Sequence, residues 1–93
     1  MKPGTYVVVR TYSAGVHVGE LIKRIGKEVT LANARRIWSW SGANTLHEIA
    51  CRGVGVGSKV SEPVPMIELP EAIEVLQCTA DGAKALRGAS WAR

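Results

Sequence analysis

Three turn signals, Ser13-Ala14-Gly15, Gly26 and Asn33, divide the first 40 residues into short runs rich in β-branched and aromatic side chains. Such runs suit a pleated, half-buried surface better than a helix. Residues 6–12, Tyr-Val-Val-Val-Arg-Thr-Tyr, read as a strand, and residues 16–24 as its return partner. Gly19, inside that second run, marks a bulge or a close approach by another backbone. Residues 28–31 form a third strand, Asn33 begins a bend, and residues 35–40 form a fourth. This pattern predicts a four-stranded antiparallel meander, which can curl into a small barrel.

Ser41-Gly42 ends that pattern. Thr45 followed by Glu48 is a capping-box signature, with Asn44 as the competing cap, and Leu46, Ile49 and Ala50 follow at helical spacing. The expected helix covers residues 45–52, with Gly53 as C-cap. Residues 54–58 alternate Val and Gly, but they lack the strand–loop–helix context and the Gly-Lys-Ser/Thr ending of a phosphate loop. Pro63 and Pro65 punctuate an extended edge segment. Strands are expected over residues 66–69 and 72–78, with Pro70 between them, and a short helix over residues 80–87, capped by Gly88. Trp91 reads as an apolar anchor for the terminus. The fold class is α+β and strand-dominated, a single domain over residues 1–93 with two short helices and a C-terminal β segment. A chain of 93 residues has little core to spare. We therefore expect a homo-oligomer, with the apolar edge at 64–69 available to pair with a neighbour.

The net charge of +4 is unevenly distributed. Residues 1–47 hold seven Lys/Arg and two Glu, giving +5, whereas residues 48–93 hold five Lys/Arg and six acids, giving −1. The basic half favours an anionic partner. A dedicated non-specific DNA binder of this size is usually more basic. No charged-then-apolar leader is present, and no apolar run approaches the roughly 20 residues that span a bilayer. A cytosolic protein without a membrane partner is therefore expected, with Cys51 and Cys78 reduced and buried. Two cysteines and two distant histidines have no zinc-ligand spacing, so neither a metal nor a cofactor is expected.

No catalytic constellation is visible. There is no Gly-x-Ser-x-Gly elbow, His17 reads as a half-exposed strand residue, and His47 reads as a helix-surface residue. The chain reads as a binding protein, not an enzyme. Its most chemically suggestive segment is Asn33-Ala34-Arg35-Arg36-Ile37-Trp38-Ser39-Trp40. Strand alternation places Trp38, Trp40 and Arg36 on one face and Arg35 on the other. A flat aromatic surface beside guanidinium groups suits a planar anion such as a nucleotide. Tyr12 and His17 in the neighbouring strands complete a candidate ligand-binding set of Tyr12, His17, Arg35, Arg36, Trp38 and Trp40. The competing reading makes the tryptophans core and the arginines a solvated edge. On the binding reading, Arg35→Ala and Arg36→Ala weaken ligand binding without unfolding the protein.

The segments Thr11–Gly19, Asn33–Trp40 and Gly42–Gly53, with Glu71-Ala72-Ile73-Glu74 ahead of Cys78, resemble a family of small tailed-bacteriophage proteins classed as a domain of unknown function. The resemblance runs over about residues 6–91. It implies a phage protein acting in the host cytoplasm, and it implies no activity and no catalytic residues. Proteins of that kind include virion components, host-takeover factors and counter-defence sponges, small oligomers that trap nucleotide immune signals in basic, aromatic pockets. The leading expectation is such an anti-defence sponge for a small anionic, nucleotide-like ligand. The alternative is a virion protein or an inhibitor that binds a host protein, and a third reading is nucleic-acid binding.

Overall fold

In the computed structural model, residues 1–90 are described. They form β1 (Tyr6–Thr11), β2 (Val16–Ile25), β3 (Glu28–Ser39), α1 (Leu46–Arg52), β4 (Lys59–Val60), β5 (Val64–Leu69), β6 (Ala72–Gln77) and α2 (Ala80–Gly88). One antiparallel sheet runs in the order β4-β3-β2-β1-β6, and β5 also pairs with β3 beside β4. The strand-dominated α+β class expected from the sequence is what the chain adopts. The anchor proposed at Trp91 lies outside the described residues.

The layout differs from the expected four-stranded meander. Residues 28–31 and 35–39 are not two strands but parts of a single strand, β3, which runs through the bend and stops one residue short of Trp40. The reason is local. Asn33 takes a left-handed conformation, φ 49°, and β3 absorbs it as a bulge opposite Gly19, where the β2–β3 register shifts between Val18 and Glu20. A Cβ at Gly19 would lie 2.9 Å from the Ala32 carbonyl oxygen, so only glycine lets the bulged strand pass this close. The sheet is also not closed into a barrel, because no ladder joins β5 to β6. The two-residue strand β4 carries no composition signal of its own.

The run of valines in β1 is explained by burial on both sides. Tyr6 and Val8 face the helices, in a core with Val16, Val18, Ile37, Ile49, Val60 and Leu86. Val7 and Val9 face the opposite way, in a core with Leu21, Val29, Leu31, Leu69 and Ala72. The second core forms because β5 and β6, joined through Pro70-Glu71, pair at opposite ends of the sheet and draw it around these side chains. Each fully buried Val or Leu stabilises the fold by roughly 1.5–3 kcal/mol relative to exposure.

Both helices begin on threonine. The Thr45 hydroxyl accepts a hydrogen bond from the Glu48 amide at 3.3 Å, and the Thr79 hydroxyl accepts one from the Gly82 amide at 3.0 Å. Thr79 also donates to the Cys51 carbonyl at 2.7 Å, joining the start of α2 to the end of α1. Cys51 is exposed rather than buried, because it sits on the outer side of the last turn of α1; Cys78 is half-buried. Among the described residues no helix is long and apolar enough to cross a membrane.

Candidate functional site

Five of the six residues singled out in the sequence are divided among three cavities, and Trp38 lines none of the three. His17, Arg35 and Arg36 line one of about 290 Å³, together with Ala34, Ser61, Val64 and Ile67. Trp40 lines a second, between the sheet and α1. Tyr12 lines a third, at the far end of the sheet. Trp38 is 50% exposed on β3 and Trp40 is 38% exposed, so neither belongs to the buried cores. The six candidates do not meet on one surface: β1 ends at Thr11, and Tyr12, in the loop that follows, lines a different cavity from His17 and Arg36.

His17 is 2% exposed, not half-exposed. Its Nε2 lies 2.9 Å from the Ala14 carbonyl oxygen, which can only accept, so Nε2 carries the proton. Burial holds the imidazole below its ordinary pKa of 6.5, and the nearby Arg36 charge adds to the effect. Arg35 is 5% exposed and is neither a solvated edge nor a free donor. Its Nε donates to the Ser61 carbonyl at 2.8 Å, and its Nη1 donates to the carbonyls of Leu86 at 2.8 Å and Arg87 at 3.3 Å. A guanidinium engaged this way stabilises the C-terminal end of α2. Arg36, its neighbour in sequence, is exposed on the opposite side of the strand.

The site that unites an aromatic platform with free cations is the cavity at Tyr12. It has a volume of about 440 Å³ and is lined by Tyr12, Arg24, Lys27, Glu71, Ala72 and Ile73. Three loops build it. The Tyr12 amide donates to the Glu71 carbonyl at 3.0 Å, and the Ala72 amide donates to the Lys27 carbonyl at 3.0 Å. The β1–β2 turn and the β2–β3 hairpin are therefore both fastened to the β5–β6 turn. The Arg24 Nε donates to the Gly26 carbonyl at 3.2 Å, which holds the guanidinium over the hairpin. The carboxylate of Glu71, the acid in this lining, accepts a hydrogen bond from the Ser13 hydroxyl at 2.8 Å.

Tyr12 is 79% exposed. Among the described residues the salt bridge joins Arg10 to Glu74, and neither Arg24 nor Lys27 is ion-paired. A ring held open to solvent next to two unpaired cations is equipped to stack on a planar group and meet a negative charge. Sequence reasoning found Tyr12 but missed Arg24 and Lys27. The available signal was a pair of cations flanking the hairpin glycine, Gly26; their meeting with Tyr12 depends on the β5–β6 turn, which residue spacing does not reveal.

Residues 4–86 match the family described as Domain of unknown function (DUF6948). The chain belongs to this family. No curated protein and no solved structure matches it. The DUF6948 match takes in all three loops around Tyr12 and ends at Leu86, the residue whose carbonyl Arg35 holds.

Proposed function

We propose that this DUF6948 protein is a non-enzymatic binding protein of phage origin that sequesters a small anionic, nucleotide-type ligand in the host cytoplasm. The observation that supports this is the exposed Tyr12 ring sharing a cavity of about 440 Å³ with the unpaired cations Arg24 and Lys27. A base would stack on Tyr12, and its phosphate would meet the two cations. Stacking on an aromatic side chain contributes roughly 1–3 kcal/mol per base. A charge-assisted contact to phosphate adds about 1.5–3 kcal/mol. Nothing in this reading calls for bond making or breaking.

Calorimetric titration with a panel of mono-, di- and cyclic nucleotides tests it. Saturable binding is expected that weakens about tenfold or more in Tyr12→Ala and in the Arg24→Ala/Lys27→Ala double variant, with Trp38→Ala unaffected. Absence of binding across the panel, or full binding by those variants, rejects it.

A second reading is supported by the exposed apolar side chains Val64 and Met66 on β5, whose sheet partner is β3 along one edge. An exposed apolar edge of this kind suits protein association, either with a second copy or with a host or virion protein. Co-purification with a protein partner and no nucleotide binding would select this reading.

A further inference from the structure

We infer a second ligand site, distinct from the Tyr12 cavity: the cleft at Trp40 binds a neutral sugar ring. The cleft has a volume of about 320 Å³ and lies between the sheet and the start of α1. Its walls are Trp40, just past the end of β3, Arg10 and Glu74 on paired positions of β1 and β6, Asn44 from the segment leading into α1, and Leu46 and His47 from the first turn of α1, with Val16 also in the lining.

Three observations point to this ligand class. The first is that Trp40 is left outside both cores, although a tryptophan is among the side chains that gain most from burial. Its position is nonetheless held firmly by the next residue. The Ser41 amide donates to the Ser58 hydroxyl at 3.0 Å, the Ser41 hydroxyl donates to the Val56 carbonyl at 2.9 Å, and the Ser41 carbonyl accepts from the Gly55 amide at 2.7 Å. Trp40 keeps 38% of its surface exposed, and a partly open indole on a pinned backbone is a pre-organised platform.

The second observation is charge. The formal charges in the cleft are Arg10 and Glu74, joined by a 3.1 Å salt bridge. They cancel, so the cleft offers no net attraction to an anion, in contrast to the Tyr12 cavity. The third is the kind of polar group present. The Arg10–Glu74 pair sets a donor beside an acceptor, which suits adjacent hydroxyls, each both donor and acceptor. The Asn44 amide donates to Glu48 at 3.3 Å, leaving its carbonyl oxygen free to accept. A flat apolar slab bordered by paired donors and acceptors with zero net charge matches a sugar ring: its C–H face lies on the indole and its hydroxyls reach the rim.

The test is titration of the whole protein with neutral hexoses, N-acetylhexosamines and their disaccharides, followed by calorimetry and by tryptophan fluorescence in a Trp38→Phe/Trp91→Phe background, which leaves Trp40 as the one tryptophan. At least one sugar is expected to bind saturably. Binding should fall about tenfold or more in Trp40→Ala and in Glu74→Gln, survive largely in Trp40→Phe, and be unchanged in Tyr12→Ala. Glu74→Gln alters an exposed ion pair and should leave the melting temperature within a few degrees, so it remains decisive even if Trp40→Ala fails to fold. No binding across the panel overturns the inference. So does binding that persists in folded Trp40→Ala and Glu74→Gln, or a preference of this cleft for nucleotides over neutral sugars.

Discussion

Arg35 in β3 donates to the carbonyl oxygen of Leu86 in α2 across 2.8 Å, closing a link of 51 residues in sequence between the sheet and the last helix. The same guanidinium also holds Ser61 and Arg87. Arg35→Ala therefore strips donors from one buried and two part-buried carbonyls and is expected to destabilise the protein by about 2–3 kcal/mol. Arg36→Ala, on the exposed side, should stay within about 0.5 kcal/mol. Urea unfolding of the two variants measures the contrast, and equal effects would refute the assignment of Arg35 as the tie between sheet and helix.

His17 makes stability depend on pH with a defined sign. The folded state keeps the imidazole neutral, with its pKa below the ordinary 6.5. Below that value the unfolded chain binds a proton that the folded chain resists, so unfolding takes up a proton. The contribution is complete above about pH 6.5 and declines as pH falls toward the folded-state pKa. Melting curves between about pH 7.5 and about pH 5 should show a drop that His17→Gln flattens. A parallel drop in both proteins would assign the pH dependence to other groups.

The helices meet through a glycine. A Cβ placed at Gly82 would overlap the Ala50 carbonyl oxygen, and that atom belongs to backbone that cannot step aside without moving α1. Gly82→Ala should cost about 1–3 kcal/mol or more, despite alanine's better helix propensity. An unchanged midpoint in denaturant would show that the helices separate freely.

The two thiols should react at very different rates. Cys51 is exposed, whereas burial pushes the Cys78 thiol up to about 11. Since the thiolate is the nucleophile, brief treatment with iodoacetamide near neutral pH should label Cys51 and spare Cys78. Peptide mass spectrometry reads this directly, and equal labelling would contradict the burial of Cys78.

Much of the architecture was legible because local signals agreed with it. The valine-rich β1, the Thr45–Glu48 cap and the glycine at 19 each reported their own surroundings correctly. Asn33 misled because a left-handed residue signals a turn or a bulge with the same side chain, and the choice depends on what lies opposite, here Gly19. The candidate site was less legible for a related reason. Alternation correctly separates Arg35 from Arg36, but only the end of α2 explains why Arg35 is buried, and only the β5–β6 turn brings Arg24 and Lys27 beside Tyr12. Contacts between distant segments leave no periodicity in the chain.

The Pro70-Glu71 connection links strands that pair at opposite ends of the sheet, β5 on β3 and β6 on β1. β4 covers only the Ile37–Ser39 end of the β3 edge, so the rest of that edge and the β1 edge stay open until this late segment has been made and has reached both of them. During synthesis, the face of β1 to β3 that carries Val7, Val9 and Leu31 must wait unprotected, and both flanks then close together. Folding should accordingly be concerted and comparatively slow, with a single kinetic phase in which the β5–β6 segment acts as a latch.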